Sequence, residues 1–285
     1  MRLPIKLKTE QTPPGLRRFL PNKPDPARLL DSQLDQDGFS TSICGICIDG
    51  VWKTTQPARH IESNGLLRRH LERRGSSSVI DVGVSDGVTS ADLFDVVAPL
   101  IRNFYATDLY LSLRTITRNG VLYFYDTRHD DCVMAVTKNL IFYNNRGHAE
   151  TALGRHVPAI VARAPKPSGA GTVRLVNPRL AERATADSRI ELVEWDIFTP
   201  WPGGPVDVIR AANILNPAYF SNNQLRAAAR NFHSALTEHG WLYIVDNRET
   251  EKATLFEKRG TGFIPLDRLG NGCDAEPACH RMGEG

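Results

Sequence analysis

VIDVGVSDGVTSADLF, residues 79–94, is the stretch on which the fold turns. Val79–Val82 is a short apolar run suited to a strand buried on both faces. Gly83–Gly87 is a glycine-rich turn, and Val88 onward takes up helical spacing. A strand that passes through a glycine turn into a helix is the repeating unit of α/β sheets, which bind ligands at the carboxyl ends of their strands. What the turn lacks narrows the ligand. A nicotinamide-dinucleotide fingerprint needs G-x-G-x-x-G so that backbone can approach a pyrophosphate. Here Val84 and Ser85 replace the middle glycine, and Asp86 brings a negative charge to where a pyrophosphate would lie. No Gly-Lys-Ser/Thr follows, which removes a Walker loop.

Working outward, strand and helix alternate from residue 79. NFYATDLYL (103–111) reads as the second strand, RIELVEWDIF (189–198) as the third, VDVIRAANIL (206–215) as the fourth and GWLYIVDNRE (240–249) as the fifth. Between the last two, a helix runs from Ser221 to about Glu238. Ser221 and Gln224 form a capping box, and Leu225, Ala228, Ala229, Phe232 and Leu236 make its apolar stripe. ATLFEKRGTGFIPLDRL reads as a terminal hairpin around RGTG. The expected fold is therefore α/β, a Rossmann-like seven-stranded, mainly parallel sheet with a terminal antiparallel hairpin. Before it, SNGLLRRHLERRG (63–75) reads as a helix with Ser63 or Asn64 as its cap and Gly75 as its stop, and the proline-rich residues 1–30 as an extended arm. The expected boundaries are 1–75 for the arm and helical segment, 76–270 for the main domain and 271–285 for a tail. A β-rich insertion at about 112–188 holds a small antiparallel meander and is expected to act as a lid or substrate-recognition element.

A cofactor with an adenosine end and no phosphate suits the turn, and S-adenosyl-L-methionine has that chemistry: its cationic sulfonium and ammonium tolerate nearby carboxylates. VIDVGVSDG resembles motif I of the class I S-adenosylmethionine-dependent methyltransferases, and the resemblance extends in order over about 76–270. It implies cofactor contacts from Asp81, Gly83, Ser85 and Gly87 at the methionine end. Asp108, followed by Leu109, would hold the ribose hydroxyls, where a carboxylate can accept two hydrogen bonds. Asp196 and Ile197 of EWDIF would frame the adenine. After the fourth strand, NPAY (216–219) resembles the N-P-P-Y motif of amino-group methyltransferases but comes too late after Asp207 and lacks the second proline. In the register preferred here, Asn213 followed by IL and YFS is similar to the chemotaxis-receptor glutamate methyltransferases. That register makes Asn213 and Tyr219 the catalytic candidates and also gives Asn213 a cofactor contact. It carries no receptor substrate, because the β-insertion stands elsewhere in this chain.

The expected activity is methyl transfer to an O or N nucleophile of a small-molecule or protein acceptor. RNA methylation through RRHLERR, or cofactor binding without transfer, remains open beside it, as does an oxidoreductase if a nicotinamide binds. Transfer depends chiefly on in-line positioning; Tyr219, His129 and Asp246 are the groups available if a base is needed. His129, Asp130 and Asp131 read as a solvated loop tip. The formal net charge of +3 gives no strong nucleic-acid signal. No apolar run approaches the ~18 residues of a membrane helix, and the N-terminus lacks the apolar core of a signal peptide, so a cytoplasmic protein is expected. Cys44 and Cys47 stand in a C-x-x-C, and Cys273, Cys279 and His280 lie near the far end. The wide second spacing favours reduced thiols over a zinc site, so no metal is expected. The sequence leaves the oligomeric state open.

Overall fold

The computed structural model describes residues 4–144, 157–217, 220–247 and 249–280, the side chains of Ala278 and His280 apart. The chain divides into two compact units, one of residues 1–55 with 110–178, the other of 56–109 with 179–285.

The second unit carries the strand–turn–helix of residues 79–94. Its strands are β1 (Ser77–Val82), β2 (Ile101–Asp108), β3 (Ile190–Glu194), β4 (Val206–Ala212), β5 (Leu236–Asn247), β6 (Glu251–Arg259) and β7 (Gly262–Leu269). They form one seven-stranded sheet in the order β3-β2-β1-β4-β5-β6-β7. The pairs from β3 to β5 are parallel; β5–β6 and β6–β7 are antiparallel. Every residue of β1 is buried, as expected for a central strand with both faces covered. The helices are α1 (Ile61–Arg74), α2 (Val88–Val97), α3 (Pro178–Ala186), α4 (Asn222–Ala235) and the short α5 (Glu276–His280). The α4 capping box is present as expected, and Leu225, Ala228 and Phe232 join one core cluster with Ile80, Val82, Ile209 and Ala211, with Ala229 also buried.

Two elements differ from the sequence reading. α4 ends at Ala235 rather than near Glu238, because Leu236 already pairs with Val206 as the first residue of β5. α1 starts at Ile61, two residues early, so Ser63 and Asn64 are buried inside it and cap nothing; Gly75 ends it as expected, with φ of +87°.

The first unit is built on a second seven-stranded sheet, in the spatial order Gly171–Arg174, Ser112–Arg118, Val121–Tyr125, Cys132–Val136, Leu140–Tyr143, Ile5–Lys8, Asn22–Lys23. The meander is there, but the arm is not separate from it. Ile5 pairs with Phe142 and Leu7 with Leu140, so the proline-rich start and the insertion share one sheet. The boundaries 1–75 and 112–188 thus differ from the observed units. Pairing across so long a stretch of chain leaves no local signature, and residues 56–75 fold with the α/β unit.

Candidate functional site

In the α/β unit the chain runs β1 to β3 in one direction and β4 to β5 in the other, so the strand order reverses between β1 and β4. Ligands of open α/β sheets bind at such a switch point, beyond the strands' carboxyl ends. Gly83 follows β1 there, and Ile214 follows β4.

The turn is a closed network. Gly83 N and Val84 N both donate to Thr107 O, at 2.8 and 3.1 Å, and Gly87 N donates to Val84 O at 2.8 Å. Ser85 N donates to Asp108 Oδ2 at 2.8 Å, and Val88 N to Asp86 Oδ1 at 3.0 Å. Gly83, Ser85 and Gly87 all have positive φ. The two glycines are required by packing as well: a Cβ on Gly83 would lie 2.5 Å from Ile214 Cδ1, and one on Gly87 2.2 Å from Leu180 Cδ2.

This changes the reason for setting a pyrophosphate aside. Asp86 is fully buried and turned inward, accepting from the Val88 amide at the start of α2, so it does not present its charge to a ligand. The turn's amides are instead committed inside the protein, and a phosphate cradle needs amides that point at the ligand.

Asp81 is also paired within the protein. Its Oδ1 takes Arg210 Nη1 at 2.8 Å and its Oδ2 takes Ser90 Oγ at 2.5 Å, and the two charged side chains are 2% and 1% exposed. The carboxylate for which motif I implies a cofactor contact balances a cation within the sheet. Arg210 was missed in the sequence. Its signal was a charge in the middle of an otherwise apolar strand, which must find a buried counter-charge.

Asp108 does stand at the tip of β2, half-buried, with Leu109 half-buried after it. Asp196 follows β3, and its Oδ1 accepts from Phe198 N at 3.0 Å. Ile197 is buried in the core on Trp195, and Asn231 Nδ2 donates to its carbonyl at 2.8 Å.

Asn213, just past β4, adopts a left-handed φ of 58°, which asparagine tolerates better than most residues. Its Oδ1 accepts from Asn247 N at 2.7 Å, and its Nδ2 lies 3.3 Å from His60 Nε2. The Asn247 amide can only donate, so the Asn213 oxygen faces it and the Asn213 amino group faces His60. His60 Nε2 is then the acceptor and Nδ1 carries the proton. Burial, with Arg210 and Arg59 adding to it, lowers the His60 pKa to about 3, so the ring is neutral. Asn213 is therefore a brace between the ends of β4 and β5 and the start of α1. His60 had no signal in the sequence beyond its residue type.

Tyr219 lies outside the described residues. Asp246 is buried and accepts from Asp274 N at 2.8 Å, while the His129 side chain is 67% exposed beside Asp126. On α1, Arg74 stacks on Trp241 at 4.4 Å and donates to His239 O, whereas Arg68 pairs with Glu72 at the exposed surface of the helix. Among the described residues no group of three or more His, Cys, Asp and Glu could hold a metal, and no helix is long and apolar enough to cross a membrane. Cys44 and Cys47 belong to one unit, Cys273 and Cys279 to the other.

No protein-family model matches the chain, and no curated protein matches it. Among solved structures it aligns with the N-methyltransferase NodS from Bradyrhizobium japonicum WM9 in complex with S-adenosyl-L-homocysteine, covering 73% of this chain and 72% of that one at 16% identity and a TM-score of 0.37. It also aligns with an O-methyltransferase family protein from Burkholderia thailandensis, over 77% of this chain and 43% of that one, at 13% identity and a TM-score of 0.36. Likeness at this level carries no argument about activity or ligand.

Proposed function

We propose that the chain is an S-adenosyl-L-methionine-dependent methyltransferase acting on an O or N nucleophile of a small acceptor. The observation that carries this reading is Asp108: a carboxylate at the tip of β2, fixed by the Ser85 amide, beside the switch point of the sheet. That is the group and the place a ribose diol calls for, with a turn too committed to cradle phosphate. The residues fit the cofactor best at its adenosine end, where Asp108 and Leu109 would take the ribose and Asp196 with Ile197 the adenine. At the methionine end Gly83, Ser85 and Gly87 shape the wall, although Ile214 already fills the space over Gly83.

When bound, the cofactor supplies an electrophilic methyl group on sulfur. The chain's part is then to align the acceptor in line with that bond. Asn213 holds the ends of β4 and β5 in register for this and moves no proton, since its amide is committed on both sides. The local likeness to receptor glutamate methyltransferases adds nothing about the acceptor.

The test is calorimetric titration of S-adenosylhomocysteine into the wild type and Asp108→Ala, with NAD as the control ligand. Micromolar binding, weakened roughly tenfold or more by the substitution (about 1.4 kcal/mol), is expected. Binding of NAD instead, or of neither, overturns the reading.

A further inference from the structure

Between Ile5–Lys8 and Asn22–Lys23 the chain of the first unit leaves the sheet and returns to it, since Leu7 pairs with Asn22 and Lys8 with Lys23. The excursion is a compact loop with its ends together. Thr12 is buried at its base, and its hydroxyl donates to Lys8 O at 3.0 Å. The Asn22 side chain gathers the far side: Nδ2 donates to Arg17 O and Leu20 O, and Oδ1 accepts from Thr9 Oγ1 at 3.0 Å. Within the loop, Leu16 N donates to Pro13 O at 2.9 Å, and Phe19 N and Leu20 N both donate to Leu16 O at 3.0 Å. These bonds hold the loop in one shape.

That shape carries apolar side chains out of the protein rather than into it. All of PPGLRRFLP, residues 13–21, is exposed. Leu16 is 47% exposed and Leu20 38%, and Phe19, at 69%, is the most exposed large apolar side chain among the described residues. A Cβ placed on Gly15 would meet nothing within 4 Å, so the tip stands clear of its surroundings. Beside the apolar side chains are two arginines and no acid. Arg17 Nε donates to Thr12 O at 3.1 Å, and the Arg18 guanidinium lies 4.8 Å from the centre of the Phe19 ring. Among the described residues neither pairs with a carboxylate. The acids on either side in sequence are turned to each other's neighbourhood at the base: Glu10 Oε1 accepts from Asp25 N at 3.3 Å, and Asp25 Oδ2 takes Lys8 Nζ at 2.7 Å. The tip is left cationic.

We infer that this loop docks on an anionic membrane surface, with Leu16, Phe19 and Leu20 entering the bilayer interface and Arg17 and Arg18 meeting the lipid phosphates. Apolar side chains seated at the boundary of headgroups and acyl chains leave water, and neighbouring arginines are drawn to a negatively charged leaflet. The Arg18–Phe19 contact fits that division, because the guanidinium stays at the phosphates while the ring goes below them. The amides of Leu16, Phe19 and Leu20 already donate within the loop, so they enter the interface without an unpaired donor. Chemistry and shape select lipid over other anions. A single-stranded nucleic acid asks for aromatic rings on which its bases stack, and two of these three apolar side chains are leucines. A stable protein partner asks for a patch of about 800 Å², broader than a tip with open space around Gly15, whereas a bilayer needs no matching contour. The docking loop owes nothing to the methyl-transfer reading and stands or falls apart from it.

The test is cosedimentation of the full chain with vesicles of phosphatidylcholine alone and of phosphatidylcholine mixed with phosphatidylserine, at lipid on the order of millimolar. The wild type should bind the phosphatidylserine vesicles, and added salt should weaken that binding. Arg17→Gln/Arg18→Gln should lower it roughly tenfold or more, and Phe19→Ser/Leu20→Ser should lower it by a similar factor at low and high salt. Both variants alter exposed side chains, so their thermal unfolding should match the wild type. Phe19→Trp should keep the binding, and the emission it adds should move to the blue with the vesicles. Failure to bind phosphatidylserine vesicles, equal binding of phosphatidylcholine alone, or binding that neither double variant weakens overturns the proposal. So does equal capture by polyglutamate or single-stranded RNA that is indifferent to Phe19 and Leu20.

Discussion

Replacing Arg210 by Met removes the cation that faces Asp81 inside the sheet. The two side chains are 1% and 2% exposed and 2.8 Å apart, so the remaining carboxylate keeps Ser90 Oγ but has no path to water. Deleting one partner of a buried pair costs about 3–5 kcal/mol, whereas exchanging both for apolar groups is often neutral or stabilising. Arg210 adds a second consideration, because its Nε and Nη2 have no hydrogen-bond partner among the described residues. Each such unmade bond costs about 1–3 kcal/mol in the wild type already, and removing the guanidinium relieves it. Arg210→Met should therefore fall near the lower end, about 3 kcal/mol, and Asp81→Asn, which strands the guanidinium, nearer about 4–5 kcal/mol. Asp81→Leu/Arg210→Met should return to within about 1 kcal/mol of the wild type. Urea unfolding followed by tryptophan fluorescence reads this unit, which holds Trp195, Trp201 and Trp241. A single-variant loss under about 1 kcal/mol, or a double variant as unstable as the two losses summed, would refute the buried pair.

His60 gives a pH signature. Its folded pKa is lowered from 6.5 to about 3, so between those values the unfolded chain holds a proton that the folded chain refuses. Stability should rise with pH across that window and be lost as pH falls through it, by up to about 1.4 kcal/mol per pH unit; the slope measured by urea unfolding should be shallower in His60→Gln. Gly87→Ala meets both a left-handed φ of +88° and Leu180 at 2.2 Å, and should cost about 2–4 kcal/mol, with Leu180→Ala in the same chain recovering the steric part in a double-mutant cycle. Ser221→Ala removes half of the α4 capping box and should lower the unfolding free energy by about 1 kcal/mol. Asn213→Ala leaves the Asn247 amide without its 2.7 Å acceptor and should destabilise by about 1–3 kcal/mol; unchanged thermal unfolding would remove its role as a brace.

The sequence yielded what is local. The run from Val79 into the Gly83–Gly87 turn, the Ser221–Gln224 box and the α4 stripe from Leu225 to Phe232 are specified by residues a few positions apart, and each formed where the pattern placed it; Leu236, also counted in the stripe, opens β5 instead. Asp108 was legible because a carboxylate closing a strand is a local event. The buried pairing of Asp81 was not legible because its partner is on a strand distant in sequence, and motif likeness does not report such a partner. For the same reason the arm and the insertion looked like two appendages. The alternation within Ile5–Lys8 is too short to announce a strand, and its partner Leu140–Tyr143 is far along the chain.

That last pairing also sets a timetable for synthesis. At roughly 5–20 residues per second, Ile5–Lys8 is made about 7–27 s before Leu140–Tyr143, the strand it must join. Throughout that wait the edge that will face Leu140–Tyr143 is unpaired, the condition under which edges find wrong partners. Lys6 and Lys8 put charge on it during the wait, a recognised deterrent to stray pairing. Once folded, Lys8 is withdrawn into an ion pair with Asp25 at 2.7 Å. The same lysine thus guards the segment while the ribosome is still working and fastens it afterwards.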